Sequence, residues 1–145
     1  MNHAVERVAA CVKRLKSLDF PFALTARAEN LIRGVQDVDD TIRRLQAYEK
    51  AGADVLYAPG LMNLDQVQDV LDAISLPLNV LASFMSSTSL DEYLSIGVRR
   101  ISVGSYLANY AIGATLSAAT QMSEQGRFDW VSEAASGGSI KRLLS

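Results

Sequence analysis

Apolar residues at Val5, Val8, Ala9, Val12, Leu15 and Leu18 keep a three-to-four spacing, which predicts an amphipathic helix from Val5 to Leu18. After Pro21 the pattern turns continuous, and Phe22 to Ala26 reads as a short buried strand. Helical spacing returns in "DVDDTIRRLQAYEKAGAD", where Asp residues begin the helix, Ile42, Leu45 and Tyr48 face inward, and Gly52 stops it. "VLYAP" predicts a second strand closed by Pro59-Gly60. A helix near Asn63 to Ala73 follows, carrying Leu64, Val67, Val70 and Leu71. "LPLNVLA" is the third strand, Ser89 to Ser95 a short helix ended by Gly97, and "RRISVGS" the fourth strand. An Ala-rich helix from Leu107 to Gln125 closes on Gly126. The tail "RFDWVSEAASGGSIKRLLS" reads as a short helix, a Gly-Gly break and a final turn.

Short apolar strands separated by helices predict an α/β chain whose parallel strands are covered on the outside by helices. Two architectures fit: an open doubly wound sheet, or a run of units from a (β/α)8 barrel. No linker or low-complexity segment divides the chain, so residues 1–145 read as a single domain, with a C-terminal helix and tail from about 107. In either architecture functional residues collect at the carboxyl ends of strands. Those ends carry Arg27 and Glu29, Tyr57 and Pro59-Gly60, Asn79 and Ser83, and Gly104-Ser105. The first is the most polar.

Composition narrows the function classes. Of 145 residues 49% are hydrophobic and 21% charged, a globular balance. The net charge of −2 offers no basic face for phosphates, which argues against nucleic acid. The single cysteine, Cys11, excludes an internal disulfide framework and is compatible with a reducing cytosol. No apolar stretch approaches the ~20 residues of a membrane span, and the first residues lack a signal-peptide apolar block. The expectation is a soluble, cytoplasmic chain without membrane partners. A doubly wound nucleotide-binding domain loses ground because no Gly-rich loop follows the first strand.

Four strings in order, "LTARAEN", "RLQAYEKAGADVLYAPGL", "LPLNVLA" and "GVRRISVGS", resemble the carboxyl-terminal half of the isocitrate lyase and phosphoenolpyruvate mutase superfamily. "YAPGL" and "PLNVLA" are most similar to its phosphonomutase-like or oxaloacetate decarboxylase-like branch. The resemblance runs from about Val5 to about Phe128. It implies a (β/α)8 TIM barrel, commonly tetrameric, of which these four βα units form the second half, open unless assembled. It also implies Mg2+ and a small 2-oxo acid, carboxylate or phosphonate substrate, with C–C or C–P bond lyase, mutase or decarboxylase chemistry. Under that resemblance Arg27 falls on the family arginine that holds a substrate carboxylate or phosphonate. A guanidinium suits this role because its fork of donors matches two acceptor oxygens and stays charged. Glu29 would orient Arg27 or a neighbouring polar group from the same loop, and Asn79 would contact substrate. Independently, Gly104 and Ser105 ahead of a helix offer backbone N–H groups to an anion, against the plainer reading of a tight turn with a serine cap.

The departures bear on catalysis. The family's Mg2+ ligands come from the first half of the barrel, so no metal is expected from this chain alone. The lyase Lys-Lys-Cys-Gly-His loop is absent. Pro59 stands where lyases carry a glutamate and the mutase a histidine, which removes a proton-handling group. No complete catalytic set is present, so the isolated chain is expected to show little or no activity. It reads either as one half of a family enzyme or as a non-catalytic, self-assembling half-barrel or anion-binding module. Whether it is a natural short protein or a fragment stays open.

Plainer readings stand beside the others. Arg27 with Glu29 could be a loop ion pair, and Asn79 could bond a loop backbone. Arg99 and Arg100 enter the fourth strand at its amino end, a stability position. Asp39-Asp40 fits first-turn helix electrostatics, Asp54 precedes a strand, Cys11 reads as a packed helix residue, and His3 is a lone terminal histidine. The sheet's inward face is expected to be apolar and its edges unpaired, which favours a homo-oligomer.

Overall fold

The computed structural model describes residues 1–145 as two compact units, Met1–Gly104 and Ser105–Ser145. The first unit holds α1 (Asn2–Leu15), β1 (Thr25–Arg27), α2 (Val38–Lys50), β2 (Val55–Tyr57), α3 (Leu64–Ala73), β3 (Leu78–Leu81), α4 (Leu90–Ser95) and β4 (Arg100–Ser102). The strands form one parallel sheet in the order β1-β2-β3-β4. The sheet does not close, so β1 and β4 are edges. This is an α/β arrangement of four βα units, matching half of a TIM-barrel-like fold.

Local chemistry sets the helix starts. Asp37 caps α2 by accepting the Asp40 N–H at 2.7 Å, and Asn63 caps α3 by accepting the Gln66 N–H at 2.9 Å. Ser89 and Glu92 satisfy each other's backbone in a capping box at the start of α4. On α2 the buried positions are Thr41, Leu45 and Tyr48, one stripe at helical spacing. Gly52 follows at φ +98°, so the turn into β2 needs a residue without a side chain.

The core lies between the sheet and these helices. Ala26, Leu56, Leu78 and Val80 point from the strands into a cluster with Leu45, Tyr48, Val67, Val70, Tyr93 and Val98. Because strand side chains alternate between faces, the opposite face carries Thr25, Arg27, Val55, Tyr57, Asn79, Leu81, Arg100 and Ser102. Contacts across that face bear this out: Arg27 sits over the Tyr57 ring, and Asn79 bonds Ser102. Arg100 reaches from β4 to Thr25 Oγ1 on β1 at 3.4 Å. The inward face is therefore mixed and largely polar, not apolar as the strand patterns suggested. Runs such as "LNVL" are too short to show which alternate positions are polar.

Several boundaries shift. β1 begins at Thr25 rather than Phe22, and Phe20 and Phe22 instead pack edge-to-face outside the sheet. α1 ends at Leu15, not Leu18. Cys11 is exposed rather than packed, because it lies off the Val5, Val8, Val12 and Leu15 stripe.

The second unit holds α5 (Tyr106–Thr120), a π turn Gln121–Gln125, a 3-10 turn Asp129–Ser132 and α6 (Gly137–Leu144). Gly137-Gly138 does not break the chain but forms the first turn of α6. Ser136 caps that turn by accepting the Ser139 N–H at 3.1 Å, and first-turn N–H groups have no intrahelical partner to lose. None of this unit's residues is buried, and Leu107, Tyr110, Leu116, Leu143 and Leu144 are exposed.

Candidate functional site

The carboxyl end of β1 is where the sequence concentrates charge, and the structure builds it in layers. Arg27 is the last strand residue and points to the inward face. Its Nε pairs with Glu29 Oε1, which leaves the two terminal amino groups outside that pair. The guanidinium lies 5.1 Å from the centroid of the Tyr57 ring, across the β1–β2 pair in register. A cation over a tyrosine face is attracted by the ring quadrupole. Arg27 and Glu29 are each a little over 40% exposed, so a ligand in solution can reach them.

Glu29 is shared. Its second oxygen lies 3.4 Å from Arg33 Nε on the 3-10 turn Leu31–Arg33. That turn is anchored from below by Asn30, which is nearly buried and donates to Thr41 Oγ1 at 2.5 Å and to the Asp37 carbonyl at 3.1 Å. Thr41 in turn donates to the same carbonyl at 2.8 Å. The loop that bears Glu29 is thus tied to the first turn of α2. It also packs against the loop after β2: Gly60, at φ +101°, approaches so closely that an added Cβ would lie 2.8 Å from Leu31 Cβ. Sequence reasoning missed Asn30, Arg33 and Gly60 as parts of this scaffold. The motif "AENLIRG" held a signal, since Arg33 lies four residues after Glu29.

Asn79 lies inside β3 rather than at its end, because the strand runs on through Leu81. It is 1% exposed, and its Nδ2 donates to Ser102 Oγ on β4 at 2.9 Å. By register Arg27, Tyr57 and Asn79 form one row across three strands. Ser83 falls in a 3-10 turn, Ala82–Phe84, just beyond β3. Gly104 ends the first unit at φ +59°. Ser105 is the residue before α5, and its hydroxyl accepts Asn109 Nδ2 at 3.3 Å instead of capping the helix.

Other charged candidates have structural partners. Asp40 pairs with Arg44 at 2.5 Å, and this hydrogen bond holds its carboxyl below the ordinary value of 3.8 while raising the guanidinium's own value. Arg43 lies 3.7 Å from the same carboxylate. Asp54 accepts the Leu24 N–H at 2.7 Å at the amino end of the sheet. Arg99 donates to the Val98 carbonyl, and His3 lies near Glu6.

A Mg2+ ion would need several oxygen donors, carboxylates foremost. No three His, Cys, Asp or Glu side chains gather into such a group. At the carboxyl ends of the strands the carboxylate in reach is Glu29, and both of its oxygens face arginines. The residues present do not fit a Mg2+ site.

A candidate lyase/mutase from Burkholderia cenocepacia J2315 is 47% identical, with a TM-score of 0.90 over 99% of this chain and 52% of that one. Phosphonopyruvate hydrolase, solved with oxalate and Mg2+, is 23% identical with a TM-score of 0.76, covering 97% of this chain and 50% of that one, and shares the fold. An oxaloacetate decarboxylase from Pseudomonas entomophila (strain L48) is 32% identical over 99 residues, 68% of this chain and 33% of the relative. The chain therefore spans about half the length of these solved structures and a third of the curated relative. Residues 1–123 match the family profile described as phosphoenolpyruvate phosphomutase, and the chain belongs to that family.

Proposed function

We propose that this chain supplies the anion-binding side of a site for a small 2-oxo acid, or a related carboxylate or phosphonate, in C–C or C–P bond lyase, mutase or decarboxylase chemistry. The observation that carries the reading is Arg27, placed at a strand's carboxyl end with its terminal amino groups free of the Glu29 pair and its guanidinium over the Tyr57 ring. A preset guanidinium can take two carboxylate or phosphonate oxygens at once. Glu29 fixes its direction, and Asn79 provides a polar group on the same row. Oxalate in phosphonopyruvate hydrolase and the oxaloacetate of the decarboxylase relative are small dianions of this kind. Metal ligands and a proton-transfer group are wanting among these residues, so the 145-residue chain by itself binds but turns over little or no substrate.

The test is calorimetric titration of the chain with oxalate, together with an oxaloacetate decarboxylation assay with added Mg2+. Oxalate should bind, and Arg27→Ala should weaken it by about 10- to 100-fold, the loss of a charge-assisted pair. Unchanged binding in Arg27→Ala would refute the assignment, and Arg27-dependent turnover would refute the inactivity of the isolated chain.

A second reading, a self-assembling half-barrel without catalysis, is favoured by the two open sheet edges and by the exposed apolar residues of α5. It predicts a homo-oligomer. Equilibrium sedimentation showing a stable monomer at micromolar concentration would defeat it.

A further inference from the structure

The open sheet has two unlike edges. On β1 the Leu24 carbonyl accepts from the Asp54 and Val55 N–H groups, and the Ala28 N–H donates to the Tyr57 carbonyl, all on the β2 side. Backbone groups alternate between the two sides of a strand, so those of Thr25 and Arg27 face outward, where no strand pairs with them. A groove of about 290 Å³ runs along this edge, lined by Leu24 to Arg27 of the strand and by Ala4 and Val8 of α1. What fits it is a strand with apolar residues on its helix-facing side. β4 is such a strand. Ile101 and Val103 alternate with the inward-facing Arg100 and Ser102, and Val103 is 40% exposed, whereas Leu56, Leu78 and Val80 on the inner strands are at most 1% exposed.

Register decides whether these two edges can meet. A line of partnered residues crosses the sheet as Arg27, Tyr57, Asn79 and Arg100, leaving β1 at its last residue and reaching β4 at its first. An eight-stranded barrel of parallel βα units closes when such a line returns displaced by about eight residues. Two identical halves related by a twofold axis share that displacement, about four residues each. Continued onto β1 of a second copy with that displacement, the line sets Arg100 beside Ala23, Ser102 beside Thr25 and Val103 beside Ala26. The step is even, so inward residues meet inward residues and Val103 falls against the groove. With no displacement Arg100 would meet Arg27, and the rest of β4 would pass beyond the end of β1.

We propose that two copies of this chain close into one twofold-symmetric, eight-stranded barrel, β4 of each pairing in parallel with β1 of the other and seating Ile101 and Val103 in the groove beside α1. The inference rests on the reading of a self-assembling half-barrel and deepens it by naming the surfaces that meet.

Equilibrium sedimentation of the 145-residue chain at micromolar concentration should give a dimer. Val103→Lys puts a cation into a groove that also holds Arg7, and should raise the dissociation constant by about tenfold or more. Its circular dichroism should stay that of the parent chain, because Val103 is already exposed. Cross-linking identifies the pairing. In a Cys11→Ser background, Thr25→Cys and Ser102→Cys are carried on separate chains and mixed under oxidation. Neighbouring strands lie about 4.8 Å apart, within disulfide reach, so the mixture should yield a cross-linked dimer and neither variant alone should. Self-linking of Thr25→Cys would mean two β1 edges paired, and self-linking of Ser102→Cys two β4 edges. Either result overturns the closed barrel and leaves self-assembly standing. So does a dimer that lacks the mixed cross-link or is unmoved by Val103→Lys, or a mixed cross-link found only in larger, unclosed species. A stable monomer refutes the barrel and the self-assembly reading together.

Discussion

Gly60→Ala isolates the packing that seats the Glu29 loop. Gly60 adopts φ +101°, and a Cβ there would meet Leu31 Cβ at 2.8 Å, Ile32 N at 3.0 Å and Leu31 C at 3.1 Å. Two costs follow. Holding alanine at positive φ costs about 1–3 kcal/mol, and forcing the backbone of the 3-10 turn aside adds about 1–3 kcal/mol, as overpacking does. Reduced freedom of the unfolded chain returns about 0.4–1 kcal/mol. Gly34→Ala provides the control, since Gly34 has φ +87° but nothing within 4 Å of its would-be Cβ. It should incur the backbone cost alone. Urea unfolding of both variants should therefore show Gly60→Ala less stable than Gly34→Ala by about 1–3 kcal/mol, the close-approach part. Because Leu31 follows Glu29 by two residues, the displaced turn should also weaken oxalate binding in Gly60→Ala and not in Gly34→Ala. Equal destabilisation of the two variants would refute the argument that β2's loop braces β1's.

Other outcomes follow from the same structure. Leu45→Ala empties a fully buried position on α2 and should cost about 2–5 kcal/mol by urea unfolding. Thr41→Val removes the acceptor for Asn30 Nδ2 and leaves that amide with the Asp37 carbonyl alone, so it should cost about 1–3 kcal/mol despite the conserved volume. Asp40 has a folded-state value below its unfolded one, so its pair with Arg44 stabilises α2 above the ordinary value of 3.8 and is lost as pH falls through the lowered value. Asp40→Asn should accordingly flatten the stability profile below about pH 4, by the few tenths of a kcal/mol typical of an i,i+4 pair, measured by urea unfolding across pH.

Helices were more legible than strands because they carry their own punctuation. Asp37, Asn63 and Ser89 each stand one residue before a helix and bond its first turn, so local chemistry alone marks α2, α3 and α4. Strand limits depend on pairing. Phe22 and Ala23 look like strand in isolation but find no partner on β2, whose paired residues are Val55, Leu56 and Tyr57. The candidate site was legible where charge interrupts an apolar run, in the Arg27–Glu29 pair. It was not legible at Ser102, Asn30 or Gly60, whose meaning lies in contacts 11 to 30 residues away or in a close backbone approach. A serine in "RISVGS" carries no sign that it faces Asn79.

The polarity of the inward face changes why this half-barrel would assemble. An apolar face would demand cover by the hydrophobic effect alone. Instead the eight inward positions include Thr25, Arg27, Tyr57, Asn79, Arg100 and Ser102, and the Arg100–Thr25 contact crosses the face from edge to edge. Such a face tolerates water. The helix-covered side, with Leu45, Leu56, Val67, Val70 and Leu78 fully buried, supplies the core of the first unit without any partner. What remains unsatisfied is the backbone of β1 and β4 at the two edges. Pairing through those edges would leave the inward face as a cavity between sheets, with Arg27 and Asn79 inside it. Under the proposed function, assembly and ligand binding would be two uses of one geometry: edges open to further strands, and a face that offers an anion Arg27.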